Sequence, residues 1–529
     1  MSLITSVLVF CASAGPGDVP QSPPRLPAAE FSRAHAKHLL LRAGFGGTPE
    51  QIDKLHAAGL KEAVNWLVDY EKQPDLVGPH GVIPGATLER GEFGRMDEDE
   101  RREVRRQQQR TDRAKMNGLR SWWVGRMLAT NRPLEEKITL FWHGHFTSGH
   151  RDVKNTFHMA LQNDLLRTHA TGNFKELVHE IARDPAMLEY LDNNRNNLRA
   201  PNENFARELM ELFTLGEGNY TEKDIKEAAR AFTGWTFSRN FGYGTSGVFT
   251  FNRGNHDYGK KTFLGQEGQF NGDDIINTIL AQDEAPRHIA GKILKFFAVD
   301  PTDAEVEPYA ALLRNSNWEI KPLLRTLFTS EWFYSDRVRG RQIKSPIMLL
   351  VNFLRSSGAE PANTSLYSGR TTLTAAADAI GQHLFQPPNV KGWDGGAAWV
   401  TSSNLLSRYN ITRALIAGQT VNSGSSSSRR PSRSRGNASS RGRQSSSPSF
   451  SIYTWVEKAG VKTADEIIDL FTARFLAIPL SAKSRSALID FLEGSEGGKP
   501  LDLTDRRSAS TKLNEALHLL TTTPEFQIC

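Results

Sequence analysis

Apolar residues recur at intervals of three and four along most of the chain, which is the period of an amphipathic helix. This pattern begins at Phe31 and continues, with breaks, to about residue 385. Thr48 followed by Gln51 predicts a capping box at the start of one helix. The period is lost near residues 236–272, where "SGVFTFNRG" and "KKTFLG" predict two short strands or loops. We therefore predict a mainly α, multi-helix globular protein with this short irregular or β-containing stretch and a helical C-terminal module.

Two segments of the chain resemble each other. Residues 293–336 and 471–529 both run from an aromatic-rich helix through a short turn to further helical sequence. Near their ends they contain Thr-Ser-Glu-Trp and Thr-Pro-Glu-Phe, respectively. This internal similarity predicts a repeated helical hairpin whose leucine stripes form core.

Composition divides the chain into four predicted parts. These are residues 1–28, a signal-like segment and Pro-rich tether; 29–420, the main helical domain; 421–450, a disordered Ser/Arg-rich insertion; and 451–529, a C-terminal helical module packing on the main domain. The run "SLITSVLVFCASAG" resembles a secretory signal with cleavage near Ala12 or Ala14, although it lacks a positive n-region. We expect an exported protein, periplasmic or extracellular. Since no later run of 18 apolar residues occurs, we expect no transmembrane span.

The net charge of +6 is concentrated in the insertion, which holds six arginines and no acidic residue. Without those six, the counts of Lys+Arg and Asp+Glu are equal at 59. A neutral folded part argues against nucleic acid as a partner. The two cysteines, Cys11 and Cys529, exclude a disulfide framework and a cysteine-rich zinc site.

The stretch "NENFARELMELF" carries the densest polar motif. A helix over 203–214 places four polar side chains on one stripe: Asn204, Arg207, Glu208 and Glu211. Two carboxylates one turn apart raise the pKa of one of them, which suits general acid–base catalysis or metal binding. We predict Glu208 as general acid or base, with Glu211 and Arg207 also catalytic and Arg207 holding an anionic or hydroxyl-rich substrate. The alternative is a pair of ordinary salt bridges, Glu203–Arg207 and Arg207–Glu211.

The stretch "FWHGHFTSGH" holds three histidines in ten positions. His143 and His145 point to one side, and can share a divalent metal, only if the chain leaves its helix at Gly144; on a helix they lie roughly 200° apart. Zinc needs three or four ligands. The candidates to complete the site are His150, Glu208, Glu211, and His256 with Asp257 of "NHDYG". The alternative is that these histidines cap helix carbonyls or form hydrogen bonds in the core.

The stretch "FQPPNVKGWDGGAAWV" forms a third cluster. Trp393 and Trp399 flank a glycine-rich turn that contains Asp394 and follows Lys391. Aromatic platforms beside a carboxylate are typical of a carbohydrate subsite. We therefore predict Asp394 as catalytic, and as substrate-binding residues Trp393, Trp399, Lys391 and Asn204. Alternatively, the tryptophans fill the helical core.

Five ordered motifs resemble a known bacterial family, the domain of unknown function number 1800. They are "HLLLRAGFGGTPE", "FWHGHFTSG", "NENFARELMELFTLGEGNYTEKDIKEAARAFTGW", "HDYGKKTFLG" and "FQPPNVKGWDGGAAWV", and the resemblance covers roughly residues 30–415. The resemblance implies a largely helical, frequently exported protein. It also implies a partner from family number 1501, which looks like a sulfatase or alkaline-phosphatase relative. It implies no reaction and carries over no catalytic residue, and the Ser/Arg-rich insertion departs from its pattern.

Two functions are compatible with these motifs. The first is an exported hydrolase-type enzyme acting on a polymer such as a glycan, with the polar clusters converging on a cleft and a divalent metal as candidate cofactor. The second is a non-catalytic secreted or cell-surface scaffold that binds a partner protein through its helical repeats. The chain has no nucleotide-binding loop, Gly-x-Ser-x-Gly elbow or His-Glu-x-x-His motif. Convergence of the clusters in one place favours the enzyme.

Overall fold

The computed structural model describes residues 22–83, 95–238, 247–359, 373–418, 450–495 and 497–529. Within these ranges the chain forms 23 α-helices and two small antiparallel sheets. The prediction of a mainly α fold is therefore confirmed. Residues 1–21 of the predicted signal and tether segment, and 421–449 of the predicted insertion, lie outside the described part.

The helices cover most of the described chain. Those before residue 300 are α1 (Arg33–Arg42), α2 (Pro49–Val68), α3 (Glu98–Ala129), α4 (Pro133–His145), α5 (His150–Val153), α6 (Thr156–Thr168), α7 (Phe174–Arg183), α8 (Pro185–Tyr190), α9 (Asn204–Glu208), α10 (Glu222–Ala231), α11 (Gly272–Leu280) and α12 (Glu284–Phe297). Those after it are α13 (Asp303–Asn315), α14 (Ile320–Thr329), α15 (Glu331–Tyr334), α16 (Pro346–Ser357), α17 (Leu373–Ala379), α18 (Ser402–Ile416), α19 (Ile452–Ala459), α20 (Ala464–Phe475), α21 (Ala482–Glu493), α22 (Arg506–Thr522) and α23 (Pro524–Gln527). None of these helices combines the length and apolar composition needed to cross a bilayer.

The four strands lie between α10 and α11, in the stretch where the helical period is lost. They are β1 (Trp235–Phe237), β2 (Phe249–Phe251), β3 (Lys261–Phe263) and β4 (Gln266–Gly268). β1 pairs with β2, and β3 pairs with β4, both antiparallel. The two segments predicted as strands or loops therefore contain β2 and β3.

A local sequence signal sets the start of α2, as predicted. The Thr48 hydroxyl accepts from the Gln51 N–H at 3.4 Å, and the Gln51 side chain accepts from the Thr48 N–H at 3.0 Å. This is the predicted capping box, which satisfies two N–H groups that the first turn of α2 leaves without helical partners.

The two similar segments also have the same order of elements. α12 to α14 precede the single turn α15, and α20 to α22 precede the single turn α23. Both single turns contain the Glu-aromatic pair of the motif, following Ser330 in the first segment and Thr523 in the second. The similarity noted in the sequence therefore corresponds to a repeated order of helices.

Buried side chains form two hydrophobic cores. The first core lies among α1, α2 and the segment from α6 to α15. The second core contains α3, α16 and the helices from α17 to α23, so the C-terminal module shares it with the main domain. Helix α4 borders both cores, with Trp142 in the first and Leu140 in the second. The histidine motif therefore lies at their boundary.

Candidate functional site

The polar motif of residues 203–214 does not form one regular α-helix. After α9 the chain continues as a π-helical segment, Leu209–Thr214, in which the Leu215 N–H donates to the Met210 carbonyl at 2.9 Å. π-helical segments are rare in proteins, and those that occur are often found at functional sites. Glu208 immediately precedes the π-helical segment and Glu211 lies within it.

The Glu208 carboxyl group is half-buried, and among the described residues it has no hydrogen-bond or ion-pair partner. Burial raises its pKa above the usual value, and the negative charge of Glu211 raises it further. The charges of Arg207 and Lys391 oppose this shift in part. A carboxyl group in this setting keeps its proton to a higher pH than an exposed glutamate, which suits a general acid.

Glu211 differs from Glu208 in its contacts. Its Oε2 accepts a hydrogen bond from the Tyr220 hydroxyl at 3.1 Å. Burial and the charge of Glu211 raise the pKa of Tyr220, so the phenol keeps its proton. Glu211 is therefore held in place by a hydrogen bond, whereas Glu208 is not.

Two further residues, which the sequence did not indicate, are linked to Glu208: Tyr190 interacts with it electrostatically, and Asp152 interacts with Tyr190. Burial raises the pKa of Tyr190, and the charges of Asp152 and Glu208 add to this effect, so the phenol lies within electrostatic reach of both carboxylates. Asp152 Oδ2 and the Tyr190 ring lie 3.1 Å and 3.4 Å from the position that a Cβ on Gly149 would occupy. Asp152 follows the histidine motif closely, but Tyr190 lies in the run "MLEYL", which resembles core. Glu208, Tyr190, Asp152 and Glu211 together form what we call the acid cluster.

The loop of residues 385–400, which we call the tryptophan loop, packs against α4 and extends toward the acid cluster. Gly392 packs directly on the carbonyl of Gly144, and the Trp393 ring lies 5.7 Å from the ring of His143. The Thr147 hydroxyl also donates to the Val390 carbonyl at 2.5 Å. These contacts bring Lys391 close enough to influence Glu208. Of the predicted clusters, the loop that carries Lys391 is therefore the one that reaches the surroundings of Glu208.

Gly392→Ala is expected to displace this loop and lower the melting temperature. Gly392 has a φ of +84°, which costs a non-glycine residue about 1–2 kcal/mol, and its new Cβ would overlap the Gly144 carbonyl oxygen. Gly396→Ala is the matched control, because Gly396 also has a positive φ but has no atom within 4 Å of its Cβ position. Equal losses of melting temperature for the two variants would show that the Gly392–Gly144 contact contributes nothing.

His143 forms hydrogen bonds in the second core. Its Nε2 accepts from the N–H of Phe385 at 3.0 Å, and its ring lies 5.2 Å from that of Trp123. Phe385 has a φ of +61°, unusual for a bulky residue, so this bond holds a strained backbone in place. Burial lowers the pKa of His143 to about 3, so the ring is neutral at pH 7.

His145 faces the first core and caps the π-helical segment. Its Nε2 donates to the Phe213 carbonyl at 3.1 Å, while His288 and Lys292 donate to the Leu212 carbonyl. The last carbonyls of a helix have no partners within the helix, so these three side chains satisfy them. Burial, together with the charges of Lys292 and His288, holds the pKa of His145 well below its usual value.

The prediction that the chain leaves its helix at Gly144 in an extended conformation is wrong. α4 continues through His145, and the two histidines therefore face different cores. His256 and Asp257 are held elsewhere: the His256 Nδ1 donates to the Thr233 carbonyl at 2.9 Å, and Asp257 binds Arg230 at 2.7 Å. Among the described residues, no three His, Cys, Asp or Glu side chains are arranged to hold a metal ion.

His150, the third histidine of the motif, pairs with Asp112 of α3. The distance from its Nε2 to the Asp112 Oδ2 is 2.7 Å. The hydrogen bonds of His143, His145 and His150 are thus directed to three separate partners.

Arg207 is not a free cation. Its guanidinium binds Glu222 of α10 at 2.7 Å and Glu203 at 3.2 Å, so it links α9 to α10, and its role in holding a substrate stays a prediction. The Glu203–Arg207 salt bridge of the alternative does form. Asn204 is exposed at the start of α9, where its N–H donates to the side chain of Asn202 at 3.0 Å.

The two tryptophans of the loop differ. Trp399 is 7% exposed and lies beneath Gly381 and Gly395, so the core-filling alternative describes it. Trp393 is partly exposed over His143, and Asp394 is exposed in the glycine-rich turn. Lys391 is exposed, with its Nζ 3.7 Å from Glu217. Of this cluster, Lys391 is the residue whose charge acts on the pKa of Glu208.

Three cavities of about 560, 540 and 640 Å³ lie outside the acid cluster. The first is lined by Arg126, Glu135 and Arg167, which are committed to ion pairs. The second contains His288 and Lys292, and the third contains His179, which pairs with Asp273. Because a reacting group must be free to exchange a proton, the acid cluster remains the stronger candidate.

Comparison with known proteins identifies one family. Residues 38–528 match the family described as "Protein of unknown function (DUF1800)". No curated protein and no solved structure matches the chain.

Proposed function

Because this chain belongs to the DUF1800 family, whose description names no reaction, we propose a function from the site itself: an exported hydrolase-type enzyme that cleaves a polymer such as a glycan. The observation that carries this proposal is Glu208, a half-buried carboxyl group with a raised pKa and no described partner. Burying a carboxyl group without a partner is unfavourable, so its presence in a polar cluster points to catalysis. The signal-like N-terminal sequence supports export.

Hydrolysis needs one group to protonate the leaving fragment and another to accept a proton from water. Glu208 in its protonated form donates its proton to the leaving oxygen as the C–O bond breaks. Asp152, the second carboxylate that influences Tyr190, accepts a proton from the attacking water, whose oxygen forms the new bond to carbon. Solvent then restores both protonation states. Glu211 acts through its charge by keeping the proton on Glu208, and Lys391 opposes it.

The first experiment is a search for this activity. The purified chain is incubated with a panel of bacterial envelope and extracellular polysaccharides, and new reducing ends or released fragments are measured. We expect cleavage of at least one of them by the wild type and its loss in Glu208→Gln. Cleavage that is equal in both proteins would exclude Glu208 as the acid.

The pH dependence of kcat gives a sharper test of how Glu208 is tuned. Since the protonated form is active, the rate should fall as pH rises through the raised pKa of Glu208. Glu211→Gln removes the like charge, so this alkaline limb should move to lower pH. Lys391→Ala removes an opposing positive charge, so the limb should move to higher pH. Glu217→Gln is the control, because Glu217 is exposed and pairs only weakly with Lys391 at 3.7 Å. Shifts of the same sign in both test variants would contradict the assignment.

A further inference from the structure

Two loops lie side by side on the surface: residues 195–200, and residues 251–260, which start with the last residue of β2. The Leu198 N–H donates to the Asn255 carbonyl at 2.9 Å, which joins the loops. The buried ring of His256 contacts Phe251 and Tyr258, with ring centroids 5.1 Å and 4.7 Å away. The buried His256 ring therefore packs beneath the side chains of Phe251 and Tyr258.

Large apolar side chains are exposed at this junction. Leu198 is 44% exposed, Phe251 is 39% exposed and Tyr258 is 59% exposed. Eight large hydrophobic side chains are this exposed in the described residues, and three of them belong to these two loops. Such clustering marks an interaction surface, whereas single exposed apolar residues do not.

The same loops are basic. They carry four basic residues and one acidic residue, and the acidic one, Asp257, is bound by Arg230. Three cations are exposed and have no ion pair with a described residue: Arg199, Arg253 and Lys260. The fourth, Arg195, pairs with Asp192 at 3.2 Å. We call the three unpaired cations, together with Leu198, Phe251 and Tyr258, the basic–apolar patch.

We propose that the basic–apolar patch binds the surface of a membrane that contains anionic lipids. Apolar side chains enter the boundary between headgroups and acyl chains, while Lys and Arg are attracted to anionic headgroups. A nucleic acid or an acidic polysaccharide satisfies the cations but gives no favourable site for Leu198, an aliphatic side chain that cannot stack on a base. The partner that uses both features is a lipid surface.

The patch is also connected to the acid cluster. The loop that carries Leu198 and Arg199 runs from α8, which ends at Tyr190, to α9, which ends at Glu208. The patch and the acid cluster are therefore joined by one short connection of the chain. The inference itself does not depend on the proposed hydrolase, since binding is measured without any reaction.

Co-sedimentation of the full chain with vesicles tests the patch. We expect binding to vesicles of phosphatidylcholine with phosphatidylglycerol, weaker binding in high salt, and little binding to phosphatidylcholine alone. The double variant Arg199→Ala/Arg253→Ala should reduce binding on the order of 10-fold or more at low salt. Leu198→Ser/Phe251→Ser should reduce it at both low and high salt, because apolar insertion is not screened.

Matched controls come from exposed residues elsewhere. Lys54→Ala/Lys61→Ala removes two exposed cations of α2, and Leu76→Ser/Leu406→Ser removes two apolar side chains that are each 62% exposed. Both controls should bind like the wild type, and melting curves should show that every variant is folded. The proposal is overturned if the wild type does not bind anionic vesicles. It is also overturned if the patch variants bind as well as the controls, or if they lose binding to DNA or an acidic polysaccharide while vesicle binding is unchanged.

Discussion

Glu208→Gln is expected to lower kcat by about 10²–10⁴-fold, the usual contribution of a general acid. The substitution keeps the size of the side chain but removes the proton that the leaving group needs. Because Glu208 has no described partner, the free energy of unfolding should change by less than about 1 kcal/mol. The measurements are kcat on the substrate found in the screen and a denaturation curve of the same sample.

Two other glutamates serve as controls for Glu208. Glu217→Gln removes an exposed carboxylate near the same loop and should leave kcat within about twofold of the wild type. Glu211→Gln should shift the pH profile, with a smaller loss of kcat at its optimum than Glu208→Gln. A Glu208→Gln variant that is folded and retains full kcat would refute the acid role. A variant that is inactive because it is unfolded is recognised from its denaturation curve.

Glu136→Gln is expected to reduce the free energy of unfolding by about 3–5 kcal/mol, the cost of removing one partner from a buried ion pair. Glu136 is fully buried, and its carboxylate accepts hydrogen bonds from Trp123, Arg126 and Arg167. Burial alone raises its pKa, but Arg167 and Arg126 more than offset this, and the net pKa is below the usual value. The NH₂ group of a glutamine is itself a hydrogen-bond donor. It therefore cannot accept the hydrogen bonds that Arg126 and Arg167 donate to the Glu136 carboxylate.

Chemical denaturation followed by circular dichroism measures this loss. Asp164→Asn is the matched control, because Asp164 contacts the same Arg167 at 3.1 Å but its side chain is 51% exposed. A surface ion pair of this kind contributes about 0–1 kcal/mol. Similar destabilisation by the two substitutions would show that burial does not strengthen the network at Glu136.

The Glu136 network also supports the candidate site. The Trp123 indole N–H donates to Glu136 at 2.8 Å, and the Trp123 ring lies 5.2 Å from both His143 and Phe385. His143 in turn holds Phe385, which precedes the loop bearing Lys391. A chain of packed side chains thus connects a buried ion pair to the loop that approaches Glu208.

Short-range signals in the sequence determined much of the fold. The capping box of Thr48 and Gln51 spans four residues, and the loss of helical period near 236–272 correctly located the small sheets. These features are predictable because the interacting groups are close in the chain and their geometry follows from the helix itself. The same reasoning placed Glu208 and Glu211 together, since residues three apart on a helix are neighbours.

Long-range packing decided the roles of the histidines and of Arg207. Gly144 permits either a helical or an extended backbone, and a helical glycine costs only about 1 kcal/mol relative to alanine. The two cores on either side of α4 outweigh that cost and turn His143 and His145 apart. Arg207 likewise binds Glu222, fifteen residues away, in addition to its neighbour Glu203.

The sequence by itself therefore determined a helical chain with a carboxylate pair, and the family to which it belongs. Only the tertiary structure assigned Tyr190 and Asp152 to the acid cluster, the histidines to its support, and the loops around His256 to a surface patch. The physical reason is that helix periodicity depends on neighbours within one or two turns. The pKa of a carboxyl group and the partners of a buried ring depend on side chains brought together from distant parts of the chain.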